Sequence, residues 1–391
     1  MPDANHDRRP DIIPPDRPVS WGSRPGSPLQ SKFCQVYGGN TDGLNHYSMY
    51  TNAACIGNHR DYAIEKIKRT QEPATRGDPN ACYTKGRASY DDRDYPKALA
   101  WYRKAANLGH ADAQNRLGQM YEAGHGTPQD YSVALDWYIR SADQENANGQ
   151  NSIGLLYYKG KGVPQDYEKA FEWFQKAAMK RHPDAWNNLG RLYDNGLGVE
   201  QDHHTAFKCY SEASAYDHAG AWTNIGIMYE NGKIKNENGM NAPPDFPQAM
   251  LCYLWAAGRG YAAAEALLGD MYNYGRGQPK DHSRAKDYYL KAAKKDNVHA
   301  QRALGLLHYN LRDHPTAKAW IKKAADQGDA EALVTLGNMY LKGLGVTKDF
   351  LKATELFREA ANRGDATGAD SLQYSRQNKP MLLAMLIMFK I

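Results

Sequence analysis

Apolar and polar positions alternate at helical spacing along most of this chain, in short blocks punctuated by glycine. Within 111–124, Ala113, Leu117, Gly118 and Tyr121 fall on one face of a helix. Gly124 ends that run, and Gly126 and Pro128 shape a turn. Asp130 stands where an N-cap carboxylate satisfies the first N–H groups of a following helix. Ala134, Trp137, Tyr138 and Ala142 then form one face of that second helix. The block predicts two antiparallel helices joined by a tight turn. Glycine inside a helix costs about 1 kcal/mol in propensity, so Gly118 predicts a close approach between the two helices. The expectation is that small alanines of the second helix meet this glycine, while the aromatics fill the gap to the next block.

The block recurs. Gly118, Gly154, Gly190, Gly226, Gly269, Gly305 and Gly337 each follow Leu or Ile, at intervals of 36, 36, 36, 43, 36 and 32 residues. Gly86, 32 residues before Gly118, opens one more unit, so residues 80–365 read as eight. Asp166, Asp202, Asp245, Asp281 and Asp349 repeat the N-cap, and Gly109, Gly260, Gly328 and Gly364 close second helices. A fixed period in the thirties is the signature of a stacked array, in which each helix-turn-helix unit buries its apolar face only against its neighbours. The predicted fold class is all-α, an α-solenoid.

Lapses in the period mark the boundaries. An insertion at 233–244 accounts for the 43-residue interval, and the two 32-residue intervals lack the Gly-x-Gly turn. Residues 366–376 read as a capping helix, with Gln373 and Arg376 where a repeat has glycine and tyrosine. Upstream, 1–42 is a Pro-rich leader expected to be disordered, and 43–79 is a weakly helical linker or degenerate cap. Downstream, 377–391 is an apolar tail. Its run from Met381 to Phe389 is about half of the roughly 20 residues a membrane helix needs. No transmembrane span is expected; the tail is read as folding back on the last unit, with peripheral membrane or partner contact as the alternative.

Charge narrows the partners. The net +5 comes from 49 basic and 44 acidic residues with no basic stripe, which argues against nucleic acid. Cys34, Cys55, Cys82, Cys209 and Cys252 show no CxxC pattern, and the amino terminus has no secretory apolar region, so a cytoplasmic location is expected. Cys209 and Cys252 share the repeat position of Trp137 and Trp173 and read as core filler.

The pattern Ala-x-x-x-Leu-Gly-x-x-Tyr-x-x-Gly-x-Gly-Val-x-x-Asp, followed by Ala-x-x-Trp/Tyr and Ala-Ala, resembles the Sel1-like repeat, a relative of the tetratricopeptide repeat. Ile153, Gly154, Tyr157, Gly160, Gly162, Val163, Asp166, Ala170, Trp173 and Ala177 match it in one unit; Leu336, Gly337, Tyr340, Gly343, Gly345, Val346, Asp349 and Ala353 match it in another. The resemblance implies a right-handed superhelix that scaffolds protein complexes, with no catalysis and no cofactor. A Pro-rich leader ahead of such repeats is similar to fungal chitin-synthase activators, which implies regulation of a membrane-bound cell-wall synthase. The final Met388-Phe389-Lys390-Ile391 departs from the prenylation box of those proteins.

In tetratricopeptide relatives the first helices line the concave face, which directs attention to the position three before each repeat glycine. It holds Asn115, Asn151 and Asn187, then Thr223, Ala266, Arg302 and Val334. Three asparagines in consecutive units, each with a donor and an acceptor, predict a clasp on the backbone of an extended partner segment; Gln119 and Arg191 lie four residues further on. The alternative is a solvated face, or asparagines bonded between neighbouring helices. The Gly-x-Gly turns lack the strand and the Lys-Ser/Thr of a phosphate loop. His203 and His204, read as surface residues, lack metal-ligand spacing. No catalytic constellation stands out; an enzyme using 233–244 as a lid is the competing class.

Overall fold

The structure, a computed structural model, describes residues 77–234, 242–375 and 377. The leader, the linker up to 76, the centre of the insertion and the tail beyond 377 lie outside the described residues. Helices pair as hairpins: α1 (Pro79–Asp91) with α2 (Tyr95–Asn107), α3 (Ala111–Ala123) with α4 (Tyr131–Asp143), α5 (Ala147–Lys159) with α6 (Tyr167–Met179), and α7 (Pro183–Asn195) with α8 (His203–Ala215). The series continues with α9 (Ala219–Glu230) and α10 (Phe246–Gly258), α11 (Ala262–Tyr274) and α12 (His282–Ala293), α13 (Val298–Asn310) and α14 (His314–Asp326), and α15 (Ala330–Lys342) and α16 (Phe350–Asn362). A last helix, α17, covers 366–375, and no strand occurs among the described residues. The architecture is an all-α solenoid of consecutively packed helix pairs.

Helices of 13 residues such as α3 are marginal alone, since isolated helices under about 12–15 residues barely hold in water. Caps and neighbours stabilise them. Asp130, Asp166, Asp202, Asp245, Asp281 and Asp349 each accept a backbone N–H at the start of a second helix, as the spacing predicts. Gly124, Gly160, Gly196, Gly275 and Gly343 end first helices in the left-handed conformation. The second glycine of the turn has another task. A Cβ on Gly126 would meet the Tyr95 carbonyl, and one on Gly198 the backbone of Tyr167, so these turns seat on the second helix of the preceding unit.

The repeat glycines mainly face large side chains rather than the expected alanines, although the Ala134 carbonyl also lies 3.0 Å from the place of a Cβ on Gly118. Gly86 and Gly118 face the rings of Tyr102 and Tyr138; Gly154 and Gly190 face Phe174 and Tyr210; Gly226, Gly269 and Gly337 face Tyr253, Tyr289 and Phe357, and Gly305 faces Ile321. The reason is steric: a large flat side chain crosses the hairpin only where its partner lacks a Cβ. The alanines, among them Ala134, Ala170 and Ala206, are fully buried in the clusters that join successive helices. The core is consequently a row of small clusters, with Ala98, Ala105, Ala113 and Leu117 together in the first.

The insertion leaves and returns at one point, where Ala242 N–H donates to the Ile234 carbonyl at 2.7 Å. At the other end, α17 buries Leu372 and Ser375 and exposes Gln373 and Tyr374. A Cβ on Gly368 would strike Ala360, so α17 lies close on α16.

Candidate functional site

Asn115, Asn151 and Asn187 sit on α3, α5 and α7, each three residues before a repeat glycine. Asn115 is 4% exposed and Asn151 6%, while Asn187 is half-buried. Their acceptor oxygens are already taken. Ser152 Oγ donates to Asn115 Oδ1 at 2.9 Å, Asn188 Nδ2 to Asn151 Oδ1 at 3.1 Å, and Asn224 Nδ2 to Asn187 Oδ1 at 2.9 Å. Every donor stands one position beyond the equivalent place in the next unit, so neighbouring first helices are stitched in a constant register. This corrects the expectation of a donor and an acceptor at each rung: the oxygen belongs to the array, and the Nδ2 amide carries no hydrogen bond among the described residues. The row ends at α9, where Thr223 turns back to the Ala219 carbonyl of its own helix.

Gln119 and Arg191 are each partly engaged. Gln119 Oε1 accepts from Arg116 Nη1 at 3.0 Å, and Arg191 Nη2 donates to the Tyr158 hydroxyl at 3.0 Å with its guanidinium 5.0 Å from the ring centre. Tyr158 and Leu155 were not singled out by the sequence. Their spacing of seven and four residues from Asn151 places all three on one helix face, and both side chains are half-buried.

Charged groups beside the row are hydrogen-bonded within the array. Asn146 Nδ2 donates to Asp112 Oδ1 at 2.8 Å, and Asn148 Nδ2 to the same oxygen at 3.2 Å. His218 Nε2 lies 2.8 Å from Asp184 Oδ1, and this bond holds the Asp184 carboxyl below its usual range. Further along, Arg302 pairs with Asp329 at 3.4 Å and with Glu331. His203 is more than a surface residue, since its Nδ1 lies 2.8 Å from Asp194 Oδ1.

Burial shifts the titration of several core side chains. Burial pushes the thiols of Cys209 and Cys252 up to about 12, which leaves them protonated and unreactive at neutral pH. Tyr138 and Tyr253 are raised above the ordinary phenol value, first by burial, with the adjacent Glu122 and Glu230 adding to it. No group of three or more His, Cys, Asp or Glu side chains converges to hold a metal ion among the described residues.

The helix pairs coincide with a known repeat. The Sel1 repeat pattern matches residues 77–110, 111–146, 147–182, 183–215, 223–261, 262–297, 298–329 and 330–365. Among solved structures, the chain is similar to c5321, a protective antigen of uropathogenic Escherichia coli with an SLR fold, at 28% identity and a TM-score of 0.53. That match covers 78% of this chain, which spans 65% of the length of the antigen. A Sel1 repeat protein from Oxalobacter formigenes is also 28% identical, with a TM-score of 0.51 over 79% of this chain and 89% of that one. The Cut9–Hcn1 hetero-tetramer of the APC/C, at 14% identity and a TM-score of 0.50 over 81% of this chain and 58% of that one, shares the fold alone. Repeats of this type generally serve as protein-interaction scaffolds, typically without catalysis of their own. No helix among the described residues is long and apolar enough to cross a membrane. With eight matched repeats between 77 and 365, this chain belongs to the Sel1 repeat family.

Proposed function

We propose that the protein is a non-enzymatic adaptor that holds an extended segment of a partner protein along the first helices of its second to fourth units. The observation that carries this reading is the asparagine row: three amides in consecutive repeats, each turned the same way by a hydrogen bond from the next repeat. The bonds that stitch the array hold each oxygen inward, and a row of aligned donors suits a ligand that repeats. Gln119 and Arg191 flank the row and guide side chains of the segment, while the stacked units behind it supply a rigid support. Cys209 and Cys252, buried and outside any disulfide, suit work in the reducing cytoplasm.

The test is site-specific photocrosslinking in native lysate. A crosslinking residue at Leu155 or Gln119 is expected to capture one reproducible protein, and the same residue at exposed Glu172 on α6 is not. Capture from Glu172 alone, or from neither face, overturns the reading.

A further inference from the structure

We infer that the apolar run from Met381 to Phe389 docks on the last helix pair of its own chain, at Phe350 and Leu351 of α16, and closes the open end of the array. The inference is independent of the adaptor reading. Its first ground is the seat. Gly126, Gly162, Gly198, Gly277 and Gly345 each lie against the first residue of the second helix one unit back, at Tyr95, Tyr131, Tyr167, Phe246 and His314, and each stands 31 residues beyond it. Phe350 is that first residue in the eighth unit. The same step from Phe350 arrives at Met381, where the apolar run begins.

Burial is the second ground. Tyr95, Tyr131, Tyr167, Phe246 and His314 are half-buried beneath their turns. Phe350 is only 7% exposed with no turn described beyond it, and it joins none of the core clusters among the described residues. Ser375 on α17 holds the position of Met120, Leu156 and Met339 in earlier first helices; it is fully buried and its hydroxyl has no hydrogen-bond partner, although no second helix is described after α17. The segment that follows α17 is within reach of this end, since six residues beyond Ser375 span up to about 20 Å.

Composition is the third ground. Leu351 is 66% exposed, at a place where every other second helix carries proline, serine, glutamate or histidine. The nine residues 381–389 hold no charge, so apolar surface on both sides leaves water when they meet. Met381 brings a side chain where each turn has glycine, which sets the run further from α16 than a turn would lie, and flexible methionine fills the interval against the Phe350 ring. The short tether keeps this run at high local concentration and favours it over the same run of a second copy.

The experiment places a photocrosslinking residue at Leu351 in the dilute full chain and maps the products by mass spectrometry, with Tyr274, exposed on α11, as the control position. Leu351 is expected to join residues 381–389 within one chain, and Tyr274 is not. Met381→Asp and Leu383→Asp put a charge on the run and change no residue of the array. Each is expected to speed backbone hydrogen exchange across 350–375 by about tenfold or more, with exchange in the first six units unchanged. Crosslinks from Leu351 that run only between two chains assign this edge to a second copy, and crosslinks lost when phosphatidylserine vesicles are added assign the run to a membrane; either overturns the inference. So does the absence of a crosslink to 381–389, or exchange that both substitutions leave unchanged.

Discussion

Cε1 of Tyr138 stands 2.5 Å from the place a Cβ on Gly118 would occupy, and the hydroxyl of the same ring donates to Glu122 Oε2 at 2.8 Å. The ring is pinned at both ends, by a missing side chain below it and a carboxylate at its tip. It cannot swing away from an added methyl. Gly118→Ala gains about 1 kcal/mol of helix propensity but overpacks the hairpin, a cost of about 1–3 kcal/mol, so a net loss of up to about 2 kcal/mol is expected. Gly305 faces Ile321, whose side chain is held by no such hydrogen bond although its backbone nitrogen lies 3.1 Å from the added Cβ, and Gly305→Ala is expected to cost less. Urea unfolding, with hydrogen exchange to locate the opening, compares the two; an equal or larger loss at Gly305 contradicts the pinning argument.

A second prediction concerns the residue just ahead of the N-cap, two before the start of each first helix that follows a hairpin. Gly109, Gly260, Gly328 and Gly364 occupy it with positive φ, and Glu145, Arg181, Asp217 and Asp296 adopt the same backbone at φ of 57°, 61°, 62° and 60°. A side chain there is strained by about 1–2 kcal/mol, offset in part by the greater freedom that glycine loses on folding. Glu145 and Asp217 have ion-pair partners in Lys180 and Arg259. Arg181 is exposed and makes none among the described residues, so Arg181→Gly is the clean test. It is expected to stabilise the array by about 0.5–1 kcal/mol, read as a raised denaturation midpoint; a lowered midpoint refutes it.

These positions also show what was legible in the sequence. Asp130 as an N-cap, Gly124 as a left-handed stop and the helix pairs themselves depend on neighbours a few residues away, so local chemistry announces them. The ring against Gly118 did not announce itself. The pattern suggests small residues against small ones, whereas the hairpin places a large ring where a Cβ is missing. The fate of Asn115 was harder to read. Its partner Ser152 lies 37 residues on, one more than the repeat period, and only the register between neighbouring first helices decides that meeting.

A third prediction follows from histidine used as a cap. His182 Nδ1 accepts the Ala185 N–H at 3.3 Å while Nε2 meets Asn148 Oδ1 at 3.0 Å, and His218 caps α9 in the same way. An accepting Nδ1 must be unprotonated. Burial pushes His182 below the ordinary 6.5, with Asp184 opposing and His218 assisting. The folded state then binds fewer protons than the unfolded one, so the stabilisation is complete above 6.5 and declines as pH falls below it toward the lowered folded value. Melting temperature is expected to drop between pH 7 and 5. His182→Asn reproduces the cap that Asn146 gives α5, and should keep stability at pH 7 while flattening the slope. An unchanged slope excludes His182 as a source of it.

The last prediction turns on a trade between two helices. In the first seven units, four before the repeat glycine on the first helix stand Cys82, Gln114, Gln150, Trp186, Trp222, Glu265 and Gln301; beside the buried residue that faces that glycine, on the second helix, stand Trp101, Trp137, Trp173, Cys209, Cys252, Tyr288 and Trp320. One member of each of these seven pairs is a large aromatic and the other is not, whereas the eighth unit pairs Leu333 with Leu356. Trp186 packs on the cluster that contains Cys209, and Trp222 on the cluster that contains Cys252. The small thiols are therefore expected to make room for an indole that arrives from the other helix. Trp186→Gln should open a void costing about 3–5 kcal/mol, and Cys209→Trp should overpack the same cluster by about 1–3 kcal/mol. Together they rebuild the arrangement of the third unit, Gln150 with Trp173, and the double variant should recover most of both losses. A double-mutant cycle in urea measures the coupling, and additive losses would show that the two side chains do not share the space.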